Sequence, residues 1–439
     1  MSDSDPIGIG LAGFGTVGSG VWNVLQRNGG LITDRTGGAV RLEVRRIAVR
    51  DPGKPREAEA PEALFTTEWK DLIEDPSVDV VVELIGGTDH AFELVAAALE
   101  AGKPVITGNK ALLAERGVEL FTLSKERDTP IHFEAAVAGG IPIIKAVQES
   151  FIGNRIHTIV GIINGTSNYI LQRMTEAGLD YPAALAEASA KGYAEADPTL
   201  DVNGWDAAHK AILLATLAYG FPIDPKNVYV RGIEMIKPLD ITFAKELGYV
   251  VKLLSVVREH DDGAVEIRTQ PSFIRRSHIL AHVNDVFNAV AVSGDGIGDS
   301  LFYGRGAGQD PTASSVVADL VEAARVLKHT AGHRGFLPYR ETGTLVPIAD
   351  TETASYVRFP VTDRPGVIAE ISQVLAEAEI GISGTHSPVD PDHPDADFVE
   401  VVFLLHTCRF GKLKRALKKI EALDCVTDRP VVFRIESLT

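Results

Sequence analysis

Ile7-Gly-Ile-Gly-Leu-Ala-Gly13-Phe-Gly15-Thr-Val-Gly18 is the stretch that decides the fold. The apolar run Ile7 to Ala12 leads directly into G-x-G-x-x-G, and Val17, Val21 and Leu25 then recur at the four-residue spacing of a helix. A strand, a glycine turn and a helix in that order form the context in which this motif binds a dinucleotide. Gly13 allows the tight turn, Gly15 lets the backbone approach a pyrophosphate, and Gly18 lets helix and sheet pack closely. The unpaired N–H groups at the helix start attract the phosphates. Gly13, Phe14, Gly15, Thr16, Val17 and Gly18 are therefore predicted to hold NAD or NADP.

Outward from this unit, the first 150 residues keep alternating short apolar runs with helical periodicity, the mark of a parallel sheet with crossover helices. Strands are predicted over Val40 to Val49, Val78 to Ile85, Pro104 to Thr107 and Ile131 to Glu134, and a helix from about His90 to Ala101. Val78 to Ile85 is apolar save for Asp79 and Glu83, as a strand buried on both faces requires. The fold class is α/β, with a Rossmann nucleotide-binding domain over 1–150. Six glycines crowd Gly294 to Gly308. Asp310 as N-cap, Pro311 at the first helical position and the stripe Val316, Val317, Leu320, Ala324, Leu327 then predict a helix over 310–330 that returns to complete this domain.

From 151 to 309 longer amphipathic segments, Leu179 to Lys191 and Asp206 to Tyr219, mix with strands such as Ile156 to Ile163 and Val265 to Pro271, which reads as an α+β domain. Residues 331–350, with Pro338 and Pro347, read as a linker. The last segment, 351–439, has the order strand, helix, strand, strand, helix, strand: Tyr356 to Val361, Val367 to Glu377, Ile380 to Ser383, Phe398 to Leu405, Leu413 to Ala422, Val431 to Ile435. That is a βαββαβ, ferredoxin-like module. Its basic residues between Arg409 and Lys419 read as a solvated helix face, and Asp390 to Asp397 as a charged exposed turn rather than a metal loop.

The 439 residues suit two to four domains. Lys and Arg number 43 against 60 Asp and Glu, a formal charge of −17, which argues against nucleic acid or an anionic membrane as partner. The start lacks the basic and apolar regions of a signal peptide, and no later stretch reaches eighteen apolar residues without a charge, so a cytoplasmic protein is expected. Only Cys408 and Cys425 are present, which excludes a disulfide framework, a cysteine zinc site and a catalytic thiol in the first 400 residues. In such a compartment the sequon-like Asn164-Gly165-Thr166 reads as a backbone turn.

The chemistry rests on two lysines. Lys110 lies just past the carboxyl end of a predicted parallel strand, where open α/β sheets bind ligands. Asp206 and Lys210 sit four apart on a helix whose other positions, Ala207 to Ala218, are apolar nearly all round. A buried charge pair costs stability, so function is the better reason for it. A nicotinamide enzyme needs one group to exchange a proton with the substrate oxygen. A lysine, with an ordinary pKa near 10.4, is almost wholly the acid at pH 7, and burial beside a second cation would let it serve as base. His90, His132 and His209 remain candidates for the same role. Arg50, ending the second strand, could hold a 2′-phosphate, whereas Asp51 could accept from a free 2′-hydroxyl; the balance favours NADP. Glu195, Asp197 and Asp201 precede the Asp206 helix and suit a substrate ammonium.

Taken together, the glycine fingerprint, Thr107-Gly-Asn-Lys110, Phe133-Glu-Ala-Ala-Val-Ala-Gly-Gly-Ile-Pro142, Ile163-Asn-Gly-Thr-Ser-Asn-Tyr169, Gly192 to Pro198, Asp201 to Lys210 and Gly304-Arg-Gly-Ala-Gly308 resemble homoserine dehydrogenase, in its monofunctional form with a C-terminal ACT domain. The resemblance spans nearly the whole chain. It implies reversible NAD(P)-dependent reduction of L-aspartate 4-semialdehyde to L-homoserine, in threonine, methionine and isoleucine biosynthesis. It implies Lys210 as proton donor, Lys110 beside cofactor and substrate, and Asp206 as their partner. Glu195 would take the amino group, with Asp201 and Thr166 also at the substrate, and Gly306 would approach the cofactor. It further implies a monovalent cation, typically sodium, on Glu134, Val137, Gly139 and Ile141, and an α+β domain that also dimerises, giving a homodimer or homotetramer. Thr362-Asp-Arg-Pro-Gly366 resembles the first turn of an ACT module, which implies feedback by L-threonine. No aspartokinase domain is expected within these 439 residues.

Other readings are weaker. A different lysine-dependent Rossmann oxidoreductase, for instance one acting on sugars, would lack the Asp206/Lys210 helix and the ACT module. Aspartate-semialdehyde dehydrogenase needs a thiol nucleophile that this sequence does not offer. A catalytically inactive amino-acid sensor would have no reason to retain Lys110 and Lys210 together.

Overall fold

A computed structural model describes residues 5–194, 197–329, 335–387 and 398–438. The chain forms two compact units: one of Met1–Gly165, Asp206–Lys226 and Val286–Gly343, the other of Thr166–Trp205, Asn227–Asp285 and Thr344–Thr439.

The first unit begins with β1 (Ile7–Ala12), α1 (Thr16–Arg35), β2 (Leu42–Ala48), β3 (Phe65–Thr66), α2 (Asp71–Glu74), β4 (Val80–Glu83), α3 (Asp89–Glu100), β5 (Val105–Thr107), α4 (Lys110–Glu126) and β6 (Ile131–His132). These strands make one sheet in the order β3-β2-β1-β4-β5-β6, parallel throughout. That is the doubly wound dinucleotide-binding order, with its reversal between β1 and β4. Both central strands are buried along their whole length, which explains their apolar sequences, interrupted only by Glu83 at the end of β4. The two-residue β3 and the helix α4 lie outside the sequence reading. A two-residue strand has no period to detect.

The returning helix, Gln309–His329, is present and begins one residue before the expected cap, after Gly308 in a left-handed conformation (φ +122°). Its Ala313, Val316, Val317, Leu320, Ala323 and Ala324 enter one core with Val21, Val24 and Leu25 of α1 and with Ile7, Ile9 and Leu11 of β1. The unit also holds an antiparallel set, Ile156–Ile162, Phe287–Gly294 and Gly298–Arg305. The last of these was hidden in the glycine-rich stretch, and Tyr303, its most exposed apolar residue, is 54% accessible.

In the second unit Tyr249–Glu259 and Val265–Arg275 form a long hairpin in strict antiparallel register. The C-terminal segment has the expected βαββαβ order, Glu352–Thr362, Val367–Glu377, Ile382–His386, Phe398–Arg409, Phe410–Ile420 and Val431–Glu436. Its strands do not stand apart, however. Val431–Glu436 pairs antiparallel with Glu352–Thr362 and parallel with Val265–Arg275, so the module continues the hairpin's sheet. The end of the expected linker is also tied down, since Val265 N–H donates to the Thr344 carbonyl at 2.9 Å and Val346 N–H to the Val265 carbonyl at 2.9 Å. The segmentation read from sequence therefore differs from the compact units. Alternation tells which face of a strand is buried, not which strand lies beside it. The basic face of helix Phe410–Ile420 is solvated as expected, with Leu413, Ala416, Leu417 and Ile420 buried beneath. The turn 390–397 lies outside the described residues. Among the described residues no helix is long and apolar enough to cross a membrane.

Candidate functional site

A cleft of about 850 Å³ opens at the β1/β4 reversal, lined by Gly13, Phe14, Gly15 and Thr16, by Leu84 and Ile85 after β4, and by Arg50 and Asp51 after β2. Gly13 is left-handed (φ +99°), and a Cβ there would come 2.7 Å from the Leu84 carbonyl oxygen; a Cβ on Gly15 would meet nothing within 4 Å. The chain thus needs glycine at Gly13 for its own turn, while the space beside Gly15 is left for something else to fill. Gly18 closes on the Gly13 carbonyl, Val17 packs on the core, and the Phe14 ring is buried edge-on against Trp22 and Phe65. Lys54 and Arg56, which sequence reasoning passed over, join Arg50 on the cleft. Arg56 donates to the carbonyls of Asp51, Pro52 and Lys54, and stacks over Phe65. The Asp51 carboxylate accepts the Gly53 N–H at 2.9 Å, fixing the turn.

Beyond the strand ends of the same unit, the structure brings Lys110, Asp206 and Lys210 together. Helix Trp205–Tyr219 carries Asp206 and Lys210 on one face, with Nζ of Lys210 at 2.7 Å from Oδ2 of Asp206. Nζ of Lys110 is 3.1 Å from Oδ1. Lys210 also donates to the Ile163 carbonyl at 2.7 Å. Burial of Asp206 alone would raise its pKa, but Lys210 and Lys110 overcome this and hold the carboxyl well below the usual range. The cluster carries two cations and one anion, and an ammonium has three donors, of which Lys210 spends two on these oxygens. Asn164 completes it by donating to Oδ2 of Asp206 at 2.8 Å. The Asn-Gly-Thr stretch is therefore more than a turn: its asparagine side chain orients the carboxylate, which only the tertiary fold reveals.

The other predicted residues fall elsewhere. Thr166 and Asp201 belong to the second unit, where the Thr166 hydroxyl donates to the Tyr193 carbonyl at 2.7 Å and the Asp201 carbonyl accepts from Ser167 at 2.8 Å. Glu195 lies outside the described residues. Gly306 packs on Gly139 and on the Asn288 side chain. Of the histidines, His90 is exposed at the cleft and 3.5 Å from Glu93, and His132 is buried at the end of β6. His209 is buried beside the lysine cluster, where desolvation lowers its pKa.

In the segment Glu134 to Ile141, Ala138 and Gly139 are both left-handed (φ +55° and +54°). The Glu134 carboxylate accepts the N–H groups of Ile144 (2.9 Å) and Lys145 (2.8 Å), and burial pushes its pKa up to about 7. The Gly139 carbonyl accepts from Ser315 at 2.7 Å and that of Ile141 from Ile143 N–H at 2.8 Å. The carboxylate of Glu134 and the carbonyls of Gly139 and Ile141 thus each hold one or two N–H or O–H donors, with lone pairs to spare on these oxygens. Among the described residues no group of three or more His, Cys, Asp and Glu could hold a metal.

Sequence reasoning also missed Glu83, which it noted only as an exception in an apolar strand. It is 0% exposed at the end of β4. Its Oε1 accepts the N–H groups of Ile85 (2.9 Å) and Gly86 (3.1 Å), and its Oε2 accepts the Thr107 hydroxyl at 2.6 Å. A carboxylate inside a run of valines was the available signal.

A parallel sheet with a dinucleotide cleft at its reversal and a lysine-aspartate-lysine cluster past its strand ends defines a nicotinamide-dependent oxidoreductase. The family model described as homoserine dehydrogenase, NAD binding domain, matches residues 13–134, and the homoserine dehydrogenase model matches 142–321. The chain is 43% identical to homoserine dehydrogenase of Pseudomonas aeruginosa, over 99% of both chains. Its structure is similar to that of a homoserine dehydrogenase from Thiobacillus denitrificans, with a TM-score of 0.89, 41% identity and 98% of each chain covered. A hyperthermophilic archaeal homoserine dehydrogenase in complex with NADPH matches 75% of this chain and all of its own length, at TM-score 0.62 and 26% identity. The chain belongs to the homoserine dehydrogenase family, NAD(P)-dependent oxidoreductases acting on CH–OH groups.

Proposed function

We propose that this chain interconverts L-homoserine and L-aspartate 4-semialdehyde, with Lys210 as the group that exchanges the proton. The observation that carries the reading is the Lys210 ammonium, fixed by the Ile163 carbonyl and Asp206, with one donor left over among the described residues. In the reducing direction a nicotinamide held at the glycine turn would supply the hydride that the aldehyde carbon takes up. Lys210 gives its proton to the aldehyde oxygen, so that carbonyl becomes alcohol. Asp206, gripped by Lys110 and Asn164, keeps Lys210 in place and offsets its charge. In oxidation the same lysine takes the hydroxyl proton. Glu195 takes the amino group, Asp201 belongs to the substrate site, and Thr166 borders substrate and nicotinamide.

Arg50, reinforced by Lys54 and Arg56, favours the 2′-phosphate of NADP over NAD. Glu134, with the main-chain carbonyls of Val137, Gly139 and Ile141, suits a hard monovalent cation such as sodium, which would brace this irregular backbone. The C-terminal βαββαβ module acts as an ACT domain that takes L-threonine as feedback effector, in a homodimer or homotetramer. Steady-state oxidation of homoserine with NADP and NAD, with and without threonine, tests the reading. Lys210→Ala is expected to abolish turnover while dinucleotide binding survives, and near-normal turnover would refute Lys210 as proton donor.

A further inference from the structure

We propose that Glu83 is a positioning residue for Lys110, acting through a closed ring of hydrogen bonds that ties the end of β4 to the start of α4. From the Glu83 carboxylate the ring runs through the Thr107 hydroxyl to the Asn109 N–H, which donates to Thr107 Oγ1 at 3.0 Å. The Asn109 amide then donates to the Gly87 carbonyl at 2.7 Å. Gly86 and Gly87, both left-handed (φ +70° and +73°), bring the chain back to Glu83, whose Oε1 holds the Gly86 N–H. Asn109 caps α4 by accepting from Leu112 N–H at 3.1 Å, and Lys110 is the first residue of that helix. The direction in which Lys110 leaves the backbone towards Asp206 is thus set by a cap that Glu83 orders.

The chemistry asks for a carboxylate. Both oxygens of Glu83 accept, from three donors, and the single Thr107 proton is committed to it so that Thr107 can accept from Asn109. Glutamine in its place turns one acceptor into a donor and leaves either the Thr107 proton or the N–H groups of Ile85 and Gly86 without an acceptor. An isolated buried carboxylate is costly, and an apolar residue would pack β4 more cheaply. Retaining a carboxyl group at this position is explained by the need to orient two loops at once.

The proposal rests on the reading that Lys110 serves the homoserine site, and a double-mutant cycle on the full chain tests it. Glu83→Gln and Thr107→Val should each lower kcat for homoserine oxidation about ten- to hundredfold, the scale of a small misplacement in a reacting site. Thr107→Ser, which keeps the hydroxyl, should return turnover to near the wild-type rate. In a Lys110→Met background Glu83→Gln should cost less than about twofold, because the residue it positions is gone. The same cycle read on NADPH affinity, through tryptophan fluorescence with Trp69 lining the cleft, separates failure of the ring from failure of the assigned activity. Equal losses with and without Lys110, or an unaltered Glu83→Gln enzyme, overturn the proposal. If Glu83→Gln does not fold, the Thr107→Val and Thr107→Ser pair carries the same cycle.

Discussion

Two buried charge clusters, one in each unit, look alike in composition and differ in balance. In the first unit Asp206 meets two lysines, giving two positive charges to one negative. In the second, Arg268 holds Glu266 through Nε (2.6 Å) and lies side-on to Glu436 (2.8 and 2.9 Å), with Arg434 nearby, giving two of each sign. Arg358, Lys237, Asp240 and Glu400 form a further balanced set in that unit. Arg268 is 0% exposed and its carboxylate partners hold it charged against the cost of burial, whereas crowding by burial and by Arg268 pulls Arg434 down to about 10. The comparison corrects a premise of the sequence reading. Burial of charge does not itself indicate catalysis, because the arginine cluster serves to join strands Val265–Arg275 and Val431–Glu436. What sets the lysine cluster apart is its charge balance, two cations on one carboxylate, and its place past the strand ends of the parallel sheet.

That contrast can be broken most forcefully from the structural side. Glu436→Ala leaves Arg268 buried without its main partner and should lower folding stability by about 3–5 kcal/mol. Chemical denaturation measures it, and a loss below about 1 kcal/mol would show that the balanced cluster is not holding the sheet together. Asp206→Asn should act the other way, lowering kcat about 10²–10⁴-fold while the fold persists. Its stability carries a pH signature. The folded pKa of Asp206 is depressed, so its contribution is fully present above the unfolded value near 3.9 and is lost as pH falls below that. The stability gap between wild type and Asp206→Asn should therefore shrink from about pH 4 downwards, and a gap independent of pH would contradict the ion-pair account. The smallest effect is expected at Asn164→Ala, about a tenfold loss of kcat with little change in melting temperature, since one hydrogen bond to the carboxylate goes while both lysines stay. An Asn164→Ala enzyme indistinguishable from wild type would remove this residue from the cluster.

The Rossmann half was legible because its signals are local. Gly13, Gly15 and Gly18 stand between an apolar run and a helical stripe, and the predicted Ile7 to Ala12 strand coincides with β1. Lys210 and Asp206 were legible for a similar reason, being four apart on an apolar helix. Glu83 and Asn164 were not, because their partners lie 24 and 42 residues away in the chain. Strand Gly298–Arg305 escaped because its glycines outweighed a weak alternation, and the sheet partner of Val431–Glu436 escaped because pairing leaves no mark on either strand alone.

Periodicity, glycine spacing and charge placement, all set by neighbours within a turn or a strand, determined an α/β dinucleotide-binding protein with a paired-lysine site and a βαββαβ tail. Only the tertiary structure decided that Asp206 bridges two lysines from different helices, that Glu83 anchors the cap beneath Lys110, and that the tail is woven into the sheet of the second unit. Each of these is a contact between distant segments, fixed by how whole elements pack rather than by what any one of them prefers to be.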